Sequence, residues 1–508
     1  WIPIGAEHTL YVLDSDNGLQ TSVAYTHHKE IGKEMMGTGK MNRRNECQAL
    51  DVQLLKENHI CGIRQEKLDL RACEYKLRII AKTSELVEIR VALMENGIED
   101  TNGSTYSFTL HPGNWQKENF SIHIPKAGMY SLSITFSKRA RVTFGVLSML
   151  PFDHFHGMRR DVIECMKEIG ISMLRWPGGN FAGEYRWQDG LLDADERAPL
   201  EAYMENETQP YTNGYDYNEV GIDEFIALCR EIGAEPFLTI NLANASPEEN
   251  AAWVEYCNGA DDTRYGKLRA QRGHKDAYQV RYWSLGNEMG YGHMEGPMTP
   301  GQYVMLARRQ MRAMLDVSPD LQLFSSGPYP SEEWGTKSAK ELAENVKYAS
   351  LHHYTYVPLD YSSDEAAKNT CQAIMDAPKE AYRLIKEMRT CLGNNIHISF
   401  DEWNCWYAWY RPSSAAEGLY ASGMLQLFLN ESNAMDMPVC CYFQPISEGA
   451  IEIKGNNCRL TATGQVFSML KAHCGGSLCP SLKNNSVAAT IKDNILTISM
   501  IHTGQEEP

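Results

Sequence analysis

From about residue 142 to about residue 474, short apolar runs alternate with stretches of amphipathic, helical spacing. No other feature limits the possible folds as much. The runs lie at 142–150, 171–176, 235–241, 280–285, 321–325, 348–354, 396–400 and 439–443. Helical patterns follow them at 159–169, 222–232, 247–256, 300–315, 339–346, within 365–389, at 417–429 and at 464–473. Strands alternating with helices imply a parallel sheet with helical crossovers. Eight such pairs predict a closed (β/α)8 TIM barrel, an α/β fold. The rival is an open doubly wound sheet. As a dinucleotide binder it would need a glycine-rich phosphate turn after its first strand, and none stands there.

The flanks read differently. Residues 46–141 alternate with period two, with turn signals at Asn96-Gly97, Asn102-Gly103 and Pro112-Gly113. This predicts a β-sandwich or jelly roll, with a carbohydrate-binding-like role and a simple bracing of the barrel as equal alternatives. Residues 1–45 read as a β or loop segment, 142–474 as the catalytic barrel, and 475–508 as C-terminal strands of an accessory β domain.

Charge narrows the partners. The formal net charge is −17 over 508 residues, which repels phosphate backbones and anionic lipid. Nucleic acid and membrane surfaces are therefore not expected, whereas a neutral sugar chain is compatible. No apolar run reaches the roughly 18 residues a membrane span needs, and no secretory leader is readable. The 14 cysteines are irregularly spaced, and Cys440 and Cys441 are neighbours. That favours reduced thiols and a cytoplasmic setting. No zinc-type ligand spacing appears, so no metal is expected.

Barrel active sites lie beyond the carboxyl ends of the strands. Those ends read Arg175-Trp176-Pro177-Gly178-Gly179-Asn180, Asn241, Gly286-Asn287-Glu288, His352-His353-Tyr354, Asp401-Glu402-Trp403-Asn404 and Gln444. Any one polar strand end is unremarkable on its own; Glu288 alone would suit a helix cap, and Glu402 alone an ion pair with Arg175. Six on one rim converge on one pocket. Two carboxyl groups flanking a glycosidic bond, one holding a proton and the other ionised, are the requirement of glycoside hydrolysis.

Three stretches resemble glycoside hydrolase family 51, the α-L-arabinofuranosidases. They are Leu174-Arg175-Trp176-Pro177-Gly178-Gly179-Asn180-Phe181, Tyr282-Trp283-Ser284-Leu285-Gly286-Asn287-Glu288-Met289 and Ser399-Phe400-Asp401-Glu402-Trp403-Asn404. The resemblance spans about residues 140–470. It implies Glu288 as general acid/base and Glu402 as nucleophile. It further implies Asn180 and Asn287 as hydrogen-bonding partners of the furanose, Arg175 and Tyr354 beside the nucleophile, and His352 nearby. Gln444 is taken as a further substrate contact. The family's glutamate motif at the first barrel strand is missing from residues 145–153, and Glu7-His8 is only a weak substitute. This resembles the subgroup in which a β-sandwich interrupts the chain before the barrel.

The expected activity is release of terminal α-L-arabinofuranosyl groups from arabinose-containing oligo- or polysaccharides by double displacement, a hydrolytic mechanism that needs no cofactor. A homo-oligomer is compatible with the resemblance. The alternatives are a related retaining glycosidase (β-xylosidase or endoglucanase) and a non-catalytic carbohydrate-binding protein. The long loop at 190–221 is a candidate pocket wall that would favour exo action. Trp176, Trp187, Trp403, Trp406 and Trp409 are candidates for stacking on sugar or for packing at the rim. His352 and His353 are adjacent on a strand and point to opposite faces, so they cannot share an ion. His154 and His156 have no third ligand and read as loop or pocket-wall residues.

Overall fold

The computed structural model describes residues 1–4, 8–14, 18–20, 50–54, 59–95, 98–99, 105–183, 185–201, 215–242, 244–290, 298–327, 332–406, 413–446, 449–479 and 486–502. The chain divides into two compact units, residues 1–160 with 186–224 and residues 161–185 with 225–508.

The first unit contains two six-stranded sheets whose paired strands are antiparallel. One is built around Cys61–Leu70, Gly128–Phe136 and Val87–Glu95; the other is built around Gln116–His123, Glu74–Thr83, Ala140–Pro151 and Leu50–Leu54. Alternation makes the core. Tyr75, Leu77, Ile79 and Ala81 on one strand and Val87, Ile89, Val91 and Leu93 on another are buried in one cluster. This is the expected sandwich.

The run at 142–150 is not the first barrel strand that its apolar continuity predicts; it lies within Ala140–Pro151 of the sandwich. It pairs antiparallel with Leu50–Leu54 on one side and Glu74–Thr83 on the other. Val142 and Phe144 enter the sandwich core. A continuous apolar run suits any sheet with both faces covered, and here the antiparallel neighbours claim it. The boundary expected between 141 and 142 therefore falls inside a strand. The described part of the 190–221 loop also belongs to this first unit. Arg78 Nη1 binds Asp195 at 2.7 Å and Asp193 at 2.9 Å. Residues 202–214 lie outside the described residues.

The second unit holds a nearly closed parallel sheet of seven strands. In chain order they are β1 (Met173–Trp176), β2 (Glu235–Thr239), β3 (Tyr282–Leu285), β4 (Gln322–Ser325), β5 (Val346–Thr355), β6 (His397–Cys405) and β7 (Val439–Tyr442). Each pairs in parallel with the next. Helices form where the sequence places their stop and start signals. Ser246 caps Pro247–Asn258 by accepting from Glu249 N at 3.2 Å, and Glu249 returns the bond to Ser246 N at 3.0 Å. Thr299 and Gln302 repeat this reciprocal cap on Pro300–Val317. Phe237, Phe324 and Val439 are buried with Met173, Tyr282, Tyr348 and Cys441 packed on them. Phe324 and Tyr348 stack at 4.2 Å. Each buried phenylalanine contributes about 1.5–3 kcal/mol. Arg175 lies over the Phe237 ring at 5.8 Å, so this apolar layer floors a polar one.

The strands expected near 487 and 495 are Val487–Lys492 and Ile495–Met500, in a three-stranded sheet with Ser477–Leu478.

Candidate active site

The polar layer begins with the turns after the strands. Beyond β3, Gly286 has φ +83, and a Cβ there would lie 2.7 Å from the Met289 sulfur, so the turn requires glycine. Glu288 itself has φ +47, a left-handed conformation that side chains larger than glycine rarely adopt. Such a cost persists where surrounding contacts over-determine it. Tyr303, on the Pro300–Val317 helix, donates to Leu285 O at 3.2 Å and accepts from Ser326 N at 2.6 Å, which ties the end of β3 to the end of β4.

β6 contributes two carboxylates through a bulge. On β5, Ser350 and His352 are two residues apart, yet they pair with Ser399 and Glu402, three apart. On the other side, Phe400 and Trp403 pair with Cys440 and Tyr442. The extra residue in β6 suspends strict alternation, so adjacent Asp401 and Glu402 both reach the same polar network.

That network is continuous. Arg175 Nη1 donates to Glu402 Oε1 at 2.7 Å, and its Nη2 donates to Asn287 Oδ1 at 2.6 Å. Tyr354 donates its hydroxyl to Glu402 Oε2 at 2.7 Å. His352 Nδ1 lies 2.7 Å from Glu288 Oε1 and 3.4 Å from Glu402 Oε2. On the far side of its ring, Nε2 lies 3.1 Å from Ser350 Oγ and 3.3 Å from Asp401 Oδ1. Ser350 Oγ donates to Asp401 Oδ1 at 2.6 Å. Arg175 Nε stands 3.9 Å from Asp401 Oδ2. Oxygens of Glu288 and Glu402 lie within 4.8 Å of each other and of the His352 ring.

Burial and charge compete here, and charge prevails at His352. Burial opposes its cationic form, but Glu402, Asp401 and Glu288 outweigh this and push its pKa up to about 10. Burial would raise Asp401, yet its contacts with His352 and Arg175 hold it below the ordinary carboxylate value. Burial and the neighbouring Glu402 raise Tyr354 well above an ordinary phenol, so it remains a donor.

Glu288, His352 and Glu402 are spaced as metal ligands could be. The same spacing also makes a hydrogen-bonded charge network, with His352 Nδ1 2.7 Å from Glu288 Oε1 and 3.4 Å from Glu402 Oε2.

Six of the expected residues thus meet: Glu288, Glu402, Arg175, Asn287, His352 and Tyr354. Asn287 gives its oxygen to Arg175. Asn180 opens the turn Asn180–Gly183 just after β1. Gln444 is half-buried just after β7, and among the described residues the network does not extend to it. Asn241 is a loop-holder instead, donating to Tyr185 O and accepting from Asn244 N. Glu7, in the weak substitute motif, lies outside the described residues.

The tryptophans sort by exposure. Trp403 is buried among Tyr420, Phe428, Tyr442 and Phe467. Trp176 stacks on Phe225, and Trp187 is buried in the first unit. Trp406 is 38% exposed and sits edge-on to Tyr354, which suits a sugar face. Trp409 lies outside the described residues. His353 points away from the site, towards Glu380 and Arg383, as alternation requires. His154 Nδ1 accepts from Gly157 N, a loop role.

Sequence reasoning missed Asp401 and Ser350 as members of the site. Asp401 was visible beside Glu402, but regular alternation would place it on the other face.

The chain is similar to known α-L-arabinofuranosidases. Residues 165–369 match the family model described as the alpha-L-arabinofuranosidase 1 domain. A probable α-L-arabinofuranosidase C of Aspergillus terreus is 29% identical over 321 residues, 58% of this chain and 61% of that protein. An intracellular exo-α-(1→5)-L-arabinofuranosidase of Streptomyces lividans is 33% identical over 264 residues, 49% of this chain and 38% of that protein. The chain thus spans less than two thirds of these curated relatives. The solved family 51 α-L-arabinofuranosidase of Thermotoga petrophila RKU-1 is 31% identical with a TM-score of 0.55, covering 65% of this chain and 67% of that one.

Proposed function

The chain belongs to glycoside hydrolase family 51, the α-L-arabinofuranosidases, and from that premise we propose that it releases terminal α-L-arabinofuranosyl groups with retention of configuration. The observation that carries the reading is the pair of carboxylates from the turn beyond β3 and from β6, with oxygens within 4.8 Å of each other. Retaining enzymes hold their two carboxyl groups about 5–5.5 Å apart, whereas inverting ones leave room for a water at about 6.5–9.5 Å.

In the first half-reaction Glu402 attacks the anomeric carbon. Glu288 passes its proton to the glycosidic oxygen, and the aglycone leaves. Arg175 and Tyr354 aim the Glu402 carboxylate, one on each oxygen. In the second half, Glu288 is a carboxylate and takes a proton from water. The water oxygen attacks the anomeric carbon and Glu402 departs. Trp406, beside Tyr354, offers an aromatic face to the sugar or its leaving group. The similarity to the intracellular exo-α-(1→5)-L-arabinofuranosidase of Streptomyces lividans supports exo action on an arabinose-containing chain.

The test is hydrolysis of para-nitrophenyl α-L-arabinofuranoside followed by proton NMR from the first turnover. Release of the α anomer first is expected. Appearance of the β anomer first overturns retention, and no turnover of any aryl glycoside favours a binding protein.

A further inference from the structure

The pair of glutamates does not stand alone; an ionisable layer lies behind it. His352 sits between Glu288 and Glu402 on one edge and Asp401 on the other. Asp401 is wholly buried, with a side-chain exposure of 0%, and faces both site cations, His352 through Oδ1 and Arg175 through Oδ2. Neither Arg175 Nε nor Asp401 Oδ2 has a hydrogen-bond partner among the described residues. Their approach is therefore one of charge, without a directed bond. A carboxylate placed there makes no contact a substrate would need.

We infer that Asp401 is a positioning residue that fixes His352 as a permanent cation, so that the site carries the same net charge in both half-reactions.

The charges balance as follows. Arg175 and His352 are positive; Asp401 and Glu402 are negative. With Glu288 protonated, ready to act as acid, these four cancel. In the covalent intermediate Glu402 is an ester and has lost its charge. Glu288 has given up its proton and gained one. The four charges cancel again, now with Glu288 in place of Glu402. His352 Nδ1–H is within 2.7 Å of one glutamate and 3.4 Å of the other. It can serve whichever is ionised with a small shift of the ring. Without Asp401 the cationic ring loses the carboxylate behind it, and a buried imidazole reverts towards neutrality. The groups facing His352 are Glu288 beyond β3, Asp401 and Glu402 on β6, and Ser350 on its own strand. Arg175 on β1 is the nearby opposing cation. Preorganised charge of this kind needs no reorganisation during reaction.

The charge-balance half of this inference rests on the proposed retaining reaction; the state of His352 does not. The experiment uses the full chain labelled with 15N-histidine, and the His352 signal is identified by its loss in His352→Gln. Wild type is expected to show His352 as imidazolium, with both ring nitrogens protonated, across about pH 6–9, a range in which an ordinary histidine becomes neutral. In Asp401→Asn the same signal is expected to titrate within that range. The ratio of variant to wild-type kcat/KM should fall about tenfold across the same pH. Ser350→Ala removes a hydroxyl but no charge and should leave the imidazolium in place. A neutral His352 in wild type at pH 7 overturns the inference even if no variant folds. So does an imidazolium that persists in Asp401→Asn, or one lost equally in Ser350→Ala. Failure of the glycosidase reading would appear as absent turnover or inverted product, with the NMR result unaffected.

Discussion

Tyr354→Phe removes one hydroxyl and leaves the ring, so it isolates the bond to Glu402 Oε2 at 2.7 Å. Tyr354 is half-buried and remains a neutral donor, and a hydrogen bond to a charged group contributes about 1.5–3 kcal/mol. The two half-reactions feel its loss differently. Before attack Glu402 carries a full charge, and in the first transition state part of it. Both lose the bond, and the losses largely cancel. In the intermediate Glu402 is an uncharged ester, and charge returns only in the second transition state. There the loss is uncompensated, at about 1–2 kcal/mol, or roughly 5–30-fold in rate. The variant should therefore accumulate the glycosyl-enzyme. Stopped-flow assay with an activated aryl α-L-arabinofuranoside is expected to show a burst of aryl alcohol, then a slow steady state with both kcat and KM lowered. A large fall in kcat/KM with neither burst nor lowered KM would refute the reasoning, because the first step would then bear the loss.

Three other outcomes follow from particular contacts. Glu288→Ala should cost about 10²–10⁴-fold in turnover of substrates with poor leaving groups and far less with good ones; equal losses across a leaving-group series would reject Glu288 as the acid. Ser246→Ala removes a reciprocal helix cap and should lower stability by about 1 kcal/mol without changing KM; denaturant titration and steady-state kinetics check both. Burial lowers the pKa of His473, whose Nδ1 meets Thr490 Oγ1 at 2.9 Å. The unfolded chain then binds the extra proton first, so stability should fall as pH drops through about 6.5 and below; His473→Gln should flatten that slope in thermal melts at several pH values.

Much of this architecture was legible because barrel strands and helices carry different hydrophobic periods. The runs at 171–176, 280–285 and 439–443 correspond to β1, β3 and β7 within a residue or two. The run at 142–150 failed for a physical reason. Apolar continuity says that both faces of a strand are covered but not which sheet covers them, and this strand sits between antiparallel neighbours. The site was readable where chemistry coincides with a strand end, as at Glu288, Glu402 and Tyr354. It was unreadable where local geometry decides. No composition rule announces the β6 bulge that turns Asp401 into the layer with Glu402. Nor does spacing reveal that Asn287 spends its oxygen on Arg175.

The central claim is that Glu402 becomes covalently bonded to the sugar while Glu288 handles the proton. The direct measurement is to mix Glu288→Ala with an aryl α-L-arabinofuranoside bearing a good leaving group, quench in acid, and map the digested peptides by mass spectrometry. One anhydropentose attached at Glu402 is the predicted result. Full release of the aryl alcohol with no sugar on any peptide, or with the sugar on a residue other than Glu402, would contradict it.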